Sequence, residues 1–398
     1  MTTHNYSTMR ILQIIPSISL VYGGPSQMVR GLSAALANQG VEVTVLTTDA
    51  NGDNAQPPLE VPLNQPVQED GYTVRYFRCS PFRRYKFSAN LLSWLWQNAT
   101  DYDLAHIHAL FSPISSISAA ILRSRQLPYI LRPLGTLDPA DLKKKRQLKQ
   151  IYANLLERPN IAGAAALHFT SAEEARISER FGVSTEDIVM PLGVDPPVAV
   201  SSTPPESGQC PRILFLSRIE PKKGLDILIP ALEKVLASGI EFQFILAGSN
   251  PQDPGYERKI QQQIQQSTLS QYTTLTGFVT GEKKAALLDS ADLFILPSYY
   301  ENFGIAVAEA MVAGVPVVIS KGVQIWPAVQ QAQAGWVGLG EVSEMTNLIQ
   351  IALQSATERQ VRGLNAQAYA LEHYSWEAIA TMMIQAYQDI LNNSHQSL

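Results

Sequence analysis

The segment RILFLSRIEPKKGLDILIPALEKVLASGIEFQFILAG, residues 212–248, decides the fold. Its first six residues are mostly apolar and end in Ser217, which is typical of a buried strand. Residues 224–239 carry apolar side chains at helical spacing, and 241–248 form a second apolar run that ends in Gly248. This order of strand, helix and strand predicts two parallel strands that are joined by a crossover helix.

The same alternation begins with RILQIIPS (10–17) and VEVTVLTTD (41–49), and it continues to VPVVIS (315–320). Between the two halves, residues 191–211 hold six prolines and lack helical periodicity, which is typical of a linker. We therefore expect an α/β protein with two doubly wound, Rossmann-like domains that face each other across a cleft. The expected parts are an N-terminal domain (1–195), a linker (196–211), a C-terminal domain (212–375) and a last helix that returns to the N-terminal domain (376–398).

The composition excludes several classes of protein. The chain has 398 residues and a net charge of −5, which argues against nucleic-acid binding as its main role. No apolar run approaches the ~20 residues of a membrane span, and no cluster of Cys and His has the spacing of a zinc site. The two cysteines, Cys79 and Cys210, are too few for a disulfide framework, so we expect a cytoplasmic protein.

Two cations follow the strand that ends at Ser217. Arg218 and Lys223 lie in the predicted turn before the helix, where both side chains can converge on one anion. Cations in that position stabilise the negative charge that develops on a leaving group. Lys222 is expected to face solvent. The alternative interpretation is that Arg218 and Lys223 are solvated surface cations.

Two glutamates flank the start of a predicted helix in PSYYENFGIAVAEAMVAGVPVV (297–318). Glu301 lies in the loop and Glu309 inside the helix, and both carboxylates can accept hydrogen bonds from sugar and ribose hydroxyls. The first amides of a helix have no partner within it and can bind a diphosphate. Those amides belong to Asn302, Phe303, Gly304 and Ile305. Alternatively, Glu301 compensates the helix dipole and Glu309 lies at the edge of the core.

This spacing, R-x4-K followed about eighty residues later by E-x7-E, resembles the retaining nucleotide-sugar glycosyltransferases of family 4, which have the GT-B fold. The resemblance implies a hexosyltransferase that moves a sugar, with retained configuration, from a nucleoside diphosphate sugar of the UDP or GDP type. The C-terminal domain would bind this donor. The N-terminal domain would bind the acceptor, a hydroxyl of a cell-envelope polysaccharide, a lipid-linked oligosaccharide or a glycolipid. No separate cofactor and no metal are expected, because Arg218 and Lys223 can do the electrostatic work of a divalent cation.

The loop YGGPSQ (22–27) separates the first strand from its helix. Gly23 and Gly24 permit positive φ angles and a close approach of the backbone, and Pro25 suits a helix start. In the family that the chain resembles, this loop lies under the donor phosphates and beside the acceptor. An ordinary glycine turn is the alternative. The loop is not G-x-G-x-x-G, which disfavours a dinucleotide site.

The segment HIHALFSP (106–113) places His106 and His108 on one side of a strand, with His108 nearer the crevice. The resemblance implies that His108 contacts the donor sugar near the reaction centre. A buried, hydrogen-bonded histidine is the interpretation we prefer for His106, and it stays open for His108. A zinc site lacks further ligands. The pair Asp101 and Asp103 has the D-x-D form of metal-dependent transferases, but it precedes a strand, where capping of the turn is expected.

The resemblance extends to several weaker positions. Gly193, Val194 and Asp195 stand where the family has N-G-V-D, with Leu192 in place of the Asn, so a polar contact there is in doubt. Arg132 could face acceptor or phosphate, or pair within the protein. The residues that would line the nucleoside pocket are Gly248, Gly277, Phe278 and Val279.

Two basic segments hint at a membrane surface. FRRYKFSANLLSWLWQ (82–97) contains Trp94 and Trp96, and LKKKRQLKQIYANLLERP (142–159) is a basic helix with an apolar stripe. Such segments suit an anionic membrane surface and thus a lipid-linked acceptor at the inner face of the membrane. The alternative is a solvated basic face with tryptophans in the core.

Two other functions use the same scaffold. One is a regulator that binds nucleotide sugars without catalysis, against which the complete set of Arg218, Lys223, Glu301 and Glu309 argues. The other is a sugar-nucleotide epimerase, which would form its product without any acceptor.

Overall fold

The computed structural model describes residues 8–52, 57–80, 86–138, 142, 146–195, 210–251 and 253–396. The chain folds into two compact units. The first contains the residues up to Gly193 together with the chain from Trp376 onward, and the second runs from Val194 to Ser375. Residues 196–209 of the expected linker lie outside the described part of the chain.

The first unit is built on a sheet of eight strands. These are β1 (Arg10–Ile14), β2 (Glu42–Thr48), β3 (Pro66–Glu69), β4 (Tyr72–Phe77), β5 (Leu104–His108), β6 (Tyr129–Arg132), β7 (Ala166–Phe169) and β8 (Asp187–Val189). They pair in the order β3-β4-β2-β1-β5-β6-β7-β8, and each pair except β3 with β4 is parallel. Strand order thus runs outward in both directions from β1, which is the doubly wound arrangement.

Helices connect the parallel strands of the first unit. They are α1 (Gly24–Asn38), α2 (Ala89–Asn98), α3 (Pro113–Ser124), α4 (Arg146–Tyr152), α5 (Arg158–Ala162) and α6 (Ala172–Ile177), with a π-helical turn (Ala153–Glu157) between α4 and α5. Ser88 and Ser171 cap α2 and α6, since each hydroxyl accepts a hydrogen bond from an amide in the first turn.

The second unit repeats the arrangement with six strands. They are β9 (Arg212–Leu216), β10 (Gln243–Ala247), β11 (Thr273–Gly277), β12 (Leu293–Leu296), β13 (Val317–Ser320) and β14 (Gly335–Gly338). All pairs are parallel, in the order β11-β10-β9-β12-β13-β14. The helices are α7 (Leu225–Ala237), α8 (Pro254–Gln265), α9 (Gly281–Asp289), α10 (Ile305–Val312), α11 (Trp326–Gln331), α12 (Val342–Gln354) and α13 (Ala356–Tyr374).

The last helix, α14 (Trp376–Gln396), packs on α1 in the first unit. Among the described residues, no helix combines the length and the apolar character that crossing a membrane requires.

The structure confirms the α/β class and the two Rossmann-like domains. Strands β1, β2, β9, β10 and β13 all lie inside the segments that the sequence predicted as strands. One strand was missed. β3 forms an antiparallel hairpin with β4 through Asp70 and Gly71, both with positive φ. Asp-Gly between two short strands is a hairpin signal that could have found it.

A chain of hydrogen-bonded side chains lies in the core of the first unit. The ring centroids of His106 and His108 are 4.5 Å apart, and His106 Nε2 lies 3.2 Å from Nδ1 of His168. Nε2 of His108 lies 2.6 Å from Oε1 of Gln13, and the Tyr387 hydroxyl is within 3.1 Å of both Gln13 and His106. This cluster therefore ties β1, β5 and β7 to α14.

Burial is the main cause of the unusual pKa values in this cluster. It lowers the pKa of His106, His108 and His168 well below the usual value, and the nearby Arg132 charge acts in the same direction. Burial also lowers the pKa of Arg132 to about 10, opposed by the charge of Glu174. The three imidazoles are therefore neutral in the folded chain at neutral pH.

We expect the first unit to lose stability as the pH falls below about 6.5, because its buried histidines take up protons only on unfolding. Above that pH the neutral histidines make their full contribution to the free energy of unfolding. This contribution decreases by roughly 1 kcal/mol per histidine over the pH unit below it. Urea unfolding at about pH 7.5 and 5.5 measures the difference, and His168→Gln should remove one histidine's share. Equal free energies of unfolding at both pH values would contradict the prediction.

The indole of Trp376 packs against two glycines of the first unit. A Cβ atom at Gly31, inside α1, would lie 2.2 Å from the indole, and one at Gly193 would lie 2.1 Å from it. No side chain larger than hydrogen fits at either position without displacing the ring. The indole can pack on the backbone at both glycines because neither carries a side chain, and this contact fixes the start of α14.

We expect Gly31→Ala to lower the free energy of unfolding of the first unit by about 1–3 kcal/mol, because the added methyl group overpacks the indole. Gly255→Ala in α8 is the matched control, since its Cβ would meet only Oδ1 of Asp253 at 3.5 Å. Calorimetric melting of both variants makes the comparison. If both unfold at the temperature of the parent chain, the close packing of Trp376 is not limiting.

Candidate functional site

A buried lysine and a glutamate meet at the carboxyl ends of β9 and β12. Lys223 ends a 3-10 turn (Pro221–Lys223) and is only 7% exposed, and its ammonium group pairs with the carboxylate of Glu301. Burial lowers the pKa of Lys223, whereas the charge of Glu301 opposes that effect. Because a buried ammonium group needs an opposite charge beside it, this pair fixes both loops. Lys222 faces solvent, as expected.

Arg218 takes a different partner. Its guanidinium lies 2.8 Å from a carboxylate oxygen of Glu220, and its side chain is 57% exposed. The sequence predicted that Arg218 and Lys223 converge on one anion, but the structure pairs them with separate carboxylates. An exposed ion pair of this kind contributes little stability, so Arg218 can exchange Glu220 for another anion at small cost.

Two glycines allow backbone segments to approach each other closely at the carboxyl ends of these strands. Gly248 has a φ of 144°, and a Cβ there would lie 1.9 Å from the carbonyl oxygen of Ser217. Gly224 has a φ of 72°, and its Cβ would lie 2.1 Å from the carbonyl oxygen of Pro297. Any larger residue at either position would push the loops after β9, β10 and β12 apart.

The loop that carries Glu301 is held by backbone hydrogen bonds. The Glu301 amide donates to the carbonyl of Gly322, and its own carbonyl accepts from the amide of Gln324. Helix α10 then starts after Gly304, whose carbonyl accepts from two amides of the first turn. The amides at the very start of the helix, that of Ile305 included, therefore have no partner within it.

The neighbouring predicted residues differ in what they expose. Phe303 is 2% exposed and its ring packs on Tyr374, with centroids 5.3 Å apart, so only its backbone remains for a ligand. Asn302 is partly buried in the same loop. Phe278, directly after β11, is 75% exposed, whereas Val279 is partly buried.

Glu309 has a partner that the sequence did not indicate. Its carboxylate lies 2.7 Å from the ammonium of Lys284 on α9, and its side chain is 19% exposed. The expectation that hydroxyl groups bind Glu309 therefore has to include competition with Lys284. No local pattern marks Lys284, because it is 25 residues from Glu309 and on another helix.

In the first unit, the loop before α1 follows the prediction in part. Gly23 has a φ of 71°, but Gly24 is already the first residue of α1, and Pro25 follows it. A cavity of about 270 Å³ lies next to this loop, at the carboxyl ends of β1, β5 and β6. Its lining includes Tyr22, Pro25, Lys86, Ala109, Phe111 and Leu134.

His108 is placed differently from the prediction. Its side chain has no exposed surface and lies in the core cluster with Gln13, so it contacts protein atoms only. Arg132 is 2% exposed, and its guanidinium contacts the sulfur of Met28 inside the protein. Both residues are buried because their strands are central in the sheet and covered on both faces.

The remaining predicted positions make contacts within the protein. Asp103 precedes β5 and its carboxylate accepts from the amide of Arg10, so it joins the amino ends of two strands. Among the described residues, no three His, Cys, Asp or Glu side chains are arranged to hold a metal ion. The Val194 amide donates to the carbonyl of Tyr374, and Leu192 is buried. The role of Asp195 stays a prediction.

The basic segments show one surface feature. Trp94 packs in the core against Phe77, with ring centroids 6.3 Å apart, and Trp96 is 49% exposed below the guanidinium of Arg125. In contrast, the run from α4 to the π-helical turn exposes apolar side chains. They are Ile151 (60%), Leu155 (70%) and Leu156 (37%). Residues 81–85, 139–141 and 143–145 lie outside the described part of the chain.

Comparison with known proteins finds relatives and structures that span nearly the whole chain. Phosphatidyl-myo-inositol mannosyltransferase of Mycobacterium leprae is 27% identical over 394 residues, which are 96% of this chain and 97% of that protein. Sucrose-phosphate synthase from Thermosynechococcus elongatus superimposes with a TM-score of 0.75 at 22% identity, covering 97% and 100% of the two chains. Anabaena HepE, solved with UDP and glucose, gives 0.71 at 20% identity, covering 96% and 100%.

Two family models match in succession. Residues 23–193 match the glycosyl transferase 4-like domain. Residues 203–369 match the glycosyl transferases group 1. Between them the two models account for most of the chain, and with the fold they support a GT-B glycosyltransferase of the family 4 type.

Proposed function

We propose that this chain transfers a hexosyl group from a nucleoside diphosphate sugar to a hydroxyl group of an acceptor, with retained anomeric configuration. The observation that carries the proposal is the pair of Lys223 and Glu301 at the carboxyl ends of β9 and β12, one turn before the start of α10. Retention is inferred from the resemblance to retaining enzymes of the family.

Stabilisation of the leaving group is the chemistry that these residues supply. When the bond to the sugar breaks, negative charge develops on the diphosphate, and the sugar becomes oxocarbenium-like. A buried ammonium at Lys223 and the first amides of α10 offer fixed positive charge in a site of low dielectric. Arg218 adds a cation that is free to leave its exposed pair with Glu220.

The second unit also offers groups that suit the rest of the donor. The exposed ring of Phe278 can stack on a base, and the close backbone at Gly248 leaves a flat edge beside it. Glu301 and Glu309 can accept hydrogen bonds from sugar and ribose hydroxyls, Glu309 by exchange with Lys284. We propose a donor of the UDP or GDP type; HepE, which has a similar fold and was solved with UDP and glucose, supports the first of these.

For the acceptor we propose the cavity of the first unit. It lies beside Gly23 and Gly24, and its volume of about 270 Å³ is near the lower end of the range for small-molecule sites. A cavity of this size suits one sugar or polyol ring. The acceptor classes that we propose are a cell-envelope polysaccharide, a lipid-linked oligosaccharide and a glycolipid; the lipid headgroup named for the mycobacterial relative is in keeping with the last two.

We further propose that the chain binds an anionic membrane surface, at the inner face of the membrane, through α4 and the π-helical turn. Ile151, Leu155 and Leu156 are exposed, although apolar side chains of a helix normally face the core. The segment just before them, LKKKRQLK (142–149), contains five cations. Exposed apolar side chains beside a basic segment are typical of interfacial helices.

We expect Lys223→Ala to lower turnover by about 10²–10³-fold, because it removes one fixed charge from the leaving group. Glu301→Ala should have a similar effect, since it leaves Lys223 buried without its partner. The adjacent Lys222→Ala is the matched control, because Lys222 is exposed, and its turnover should stay within about twofold of the parent. Release of nucleoside diphosphate from UDP-glucose and GDP-mannose, with melting temperatures of all variants, provides the measurement.

The same assay separates the alternatives. Near-parental rates in both Lys223→Ala and Glu301→Ala would overturn the assignment. Donor binding without turnover in the parent chain would identify a regulator instead. A new nucleotide sugar formed in the absence of any acceptor would identify an epimerase.

For the membrane surface, we expect co-sedimentation with vesicles of anionic lipid at low salt and its loss as the salt concentration rises. Replacing Ile151 and Leu155 together by Ser should weaken binding by about tenfold or more, since both apolar side chains would leave water on binding. Ile351→Ser, an exposed apolar residue of the second unit, is the control. Equal sedimentation of parent and double variant would exclude this surface.

A further inference from the structure

The cavity of the first unit is lined by strained backbone. Nine non-glycine residues in the described part of the chain have positive φ angles, and four of them line this cavity. They are Lys86 (47°), Ala109 (69°), Phe111 (57°) and Leu134 (56°). Such a backbone conformation is strained and persists only where its surroundings hold it in place.

The strained loop between β5 and α3 is held by one buried carboxylate. The amide of Phe111 donates to Oε1 of Glu157 at 2.6 Å, and the hydroxyl of Ser116 lies 2.8 Å from the same oxygen. Glu157 is 1% exposed. Burial raises its pKa, and the hydrogen bonds from Ser116 and Phe111 oppose that effect.

Glu157 faces inward because of the π-helical turn that it ends. Leu155 and Leu156, just before it, are exposed, so this helix buries its charged residue and exposes its apolar ones. Burial of a carboxylate is costly unless it accepts hydrogen bonds, and single π-helical turns are frequent at functional sites. Such an inverted arrangement requires compensating contacts, and the amide of Phe111 provides one beside the hydrogen bonds from Ser116 and Asn160.

The contact is not needed to start α3. The amide and the hydroxyl of Ser116 each lie 2.9 Å from the carbonyl of Ser112, so the first turn of the helix is closed without Glu157. What Glu157 adds is the hydrogen bond to Phe111, whose ring also packs on Tyr152 at a centroid distance of 5.8 Å. The carboxylate thus joins α3 and α5 to the cavity wall, and the amide of Phe111 is its contact with that wall.

We propose that Glu157 is a positioning residue for the acceptor, which holds Phe111 in the conformation that lines the cavity. The inference rests on the proposed function, because it assigns the cavity to the acceptor. Glu157 touches neither the donor nor the acceptor in this proposal. It acts through the amide of Phe111.

The test compares Glu157→Ala and Glu157→Gln with the parent chain. Octyl β-D-glucopyranoside and octyl α-D-mannopyranoside serve as acceptor probes, with UDP-glucose or GDP-mannose as donor. Glu157→Ala should raise the KM for the octyl glycoside by about tenfold or more, whereas donor hydrolysis without acceptor stays within about twofold. Glu157→Gln should restore the KM, since its amide oxygen can still accept from Phe111.

A matched control separates positioning from general loss of stability. Glu174 is another buried glutamate of the first unit, and its carboxylate accepts from the amide and the hydroxyl of Thr170 at 2.8 and 2.7 Å. Glu174→Ala should lower the melting temperature without changing the acceptor KM. Hydrogen exchange over residues 109–113 adds a readout that needs no acceptor, and it should become faster in Glu157→Ala only.

The outcomes distinguish this inference from the proposed function. An unchanged KM in Glu157→Ala, or a Gln variant as impaired as the Ala variant, would overturn the positioning role and leave the glycosyltransferase assignment in place. If the parent chain hydrolyses donor but uses neither glycoside, unchanged exchange over 109–113 would overturn the positioning role as well. A parent chain that turns over no donor would overturn both.

Discussion

A buried ammonium group needs a carboxylate beside it, and the second unit is arranged to meet this requirement. Lys223 follows β9 and Glu301 follows β12, so the pair joins two adjacent strands at their carboxyl ends. The loops reach each other only because the backbone can pass very close to neighbouring carbonyl groups, as at Gly224 beside Pro297. Side-chain charge and backbone shape thus depend on one another: a wider loop would separate the pair, and an unpaired Lys223 could not stay buried.

The first unit uses buried polar groups in another way. Its histidine cluster joins the central strands to α14 through Tyr387, which is 281 residues from His106 in the chain. Because these imidazoles are buried and lie near Arg132, their neutral form is favoured. The cluster therefore holds the returning helix in place and leaves the carboxyl ends of β1, β5 and β6 to form the cavity. His108 belongs to this supporting core. Its position therefore does not support the contact with the donor sugar that the resemblance implies.

Repeated short-range patterns made the fold predictable from the sequence. Apolar runs followed by helical periodicity locate β1, β2, β9 and β10 closely, because a parallel strand covered on both faces must be apolar along its length. The sequence also predicted that Lys222 faces solvent, and its side chain is exposed. Contacts between segments that are distant in the sequence have no such short-range pattern. Lys284 with Glu309 and Glu157 with Phe111 each join two elements whose meeting depends on the packing of whole helices, and a π-helical turn inverts the expected inside and outside of the chain around Leu155.

The loops at the carboxyl ends of the strands are built differently in the two units, and the proposed function explains the difference. Around β9, β10 and β12 the close approaches occur at glycines, and the backbone there lies beside the ion pair of Lys223 and Glu301. A diphosphate is common to all nucleoside diphosphate sugars, and backbone amides with a fixed cation are sufficient to bind it. Around β5 and β6 the strained positions carry side chains, among them Phe111 and Leu134, and Phe111 is held by the buried carboxylate of Glu157. Acceptors differ from one another in shape. A cavity wall of side chains in an enforced conformation can discriminate among acceptors, because it fits only one shape. A different acceptor would require a different loop and a different residue to hold that loop.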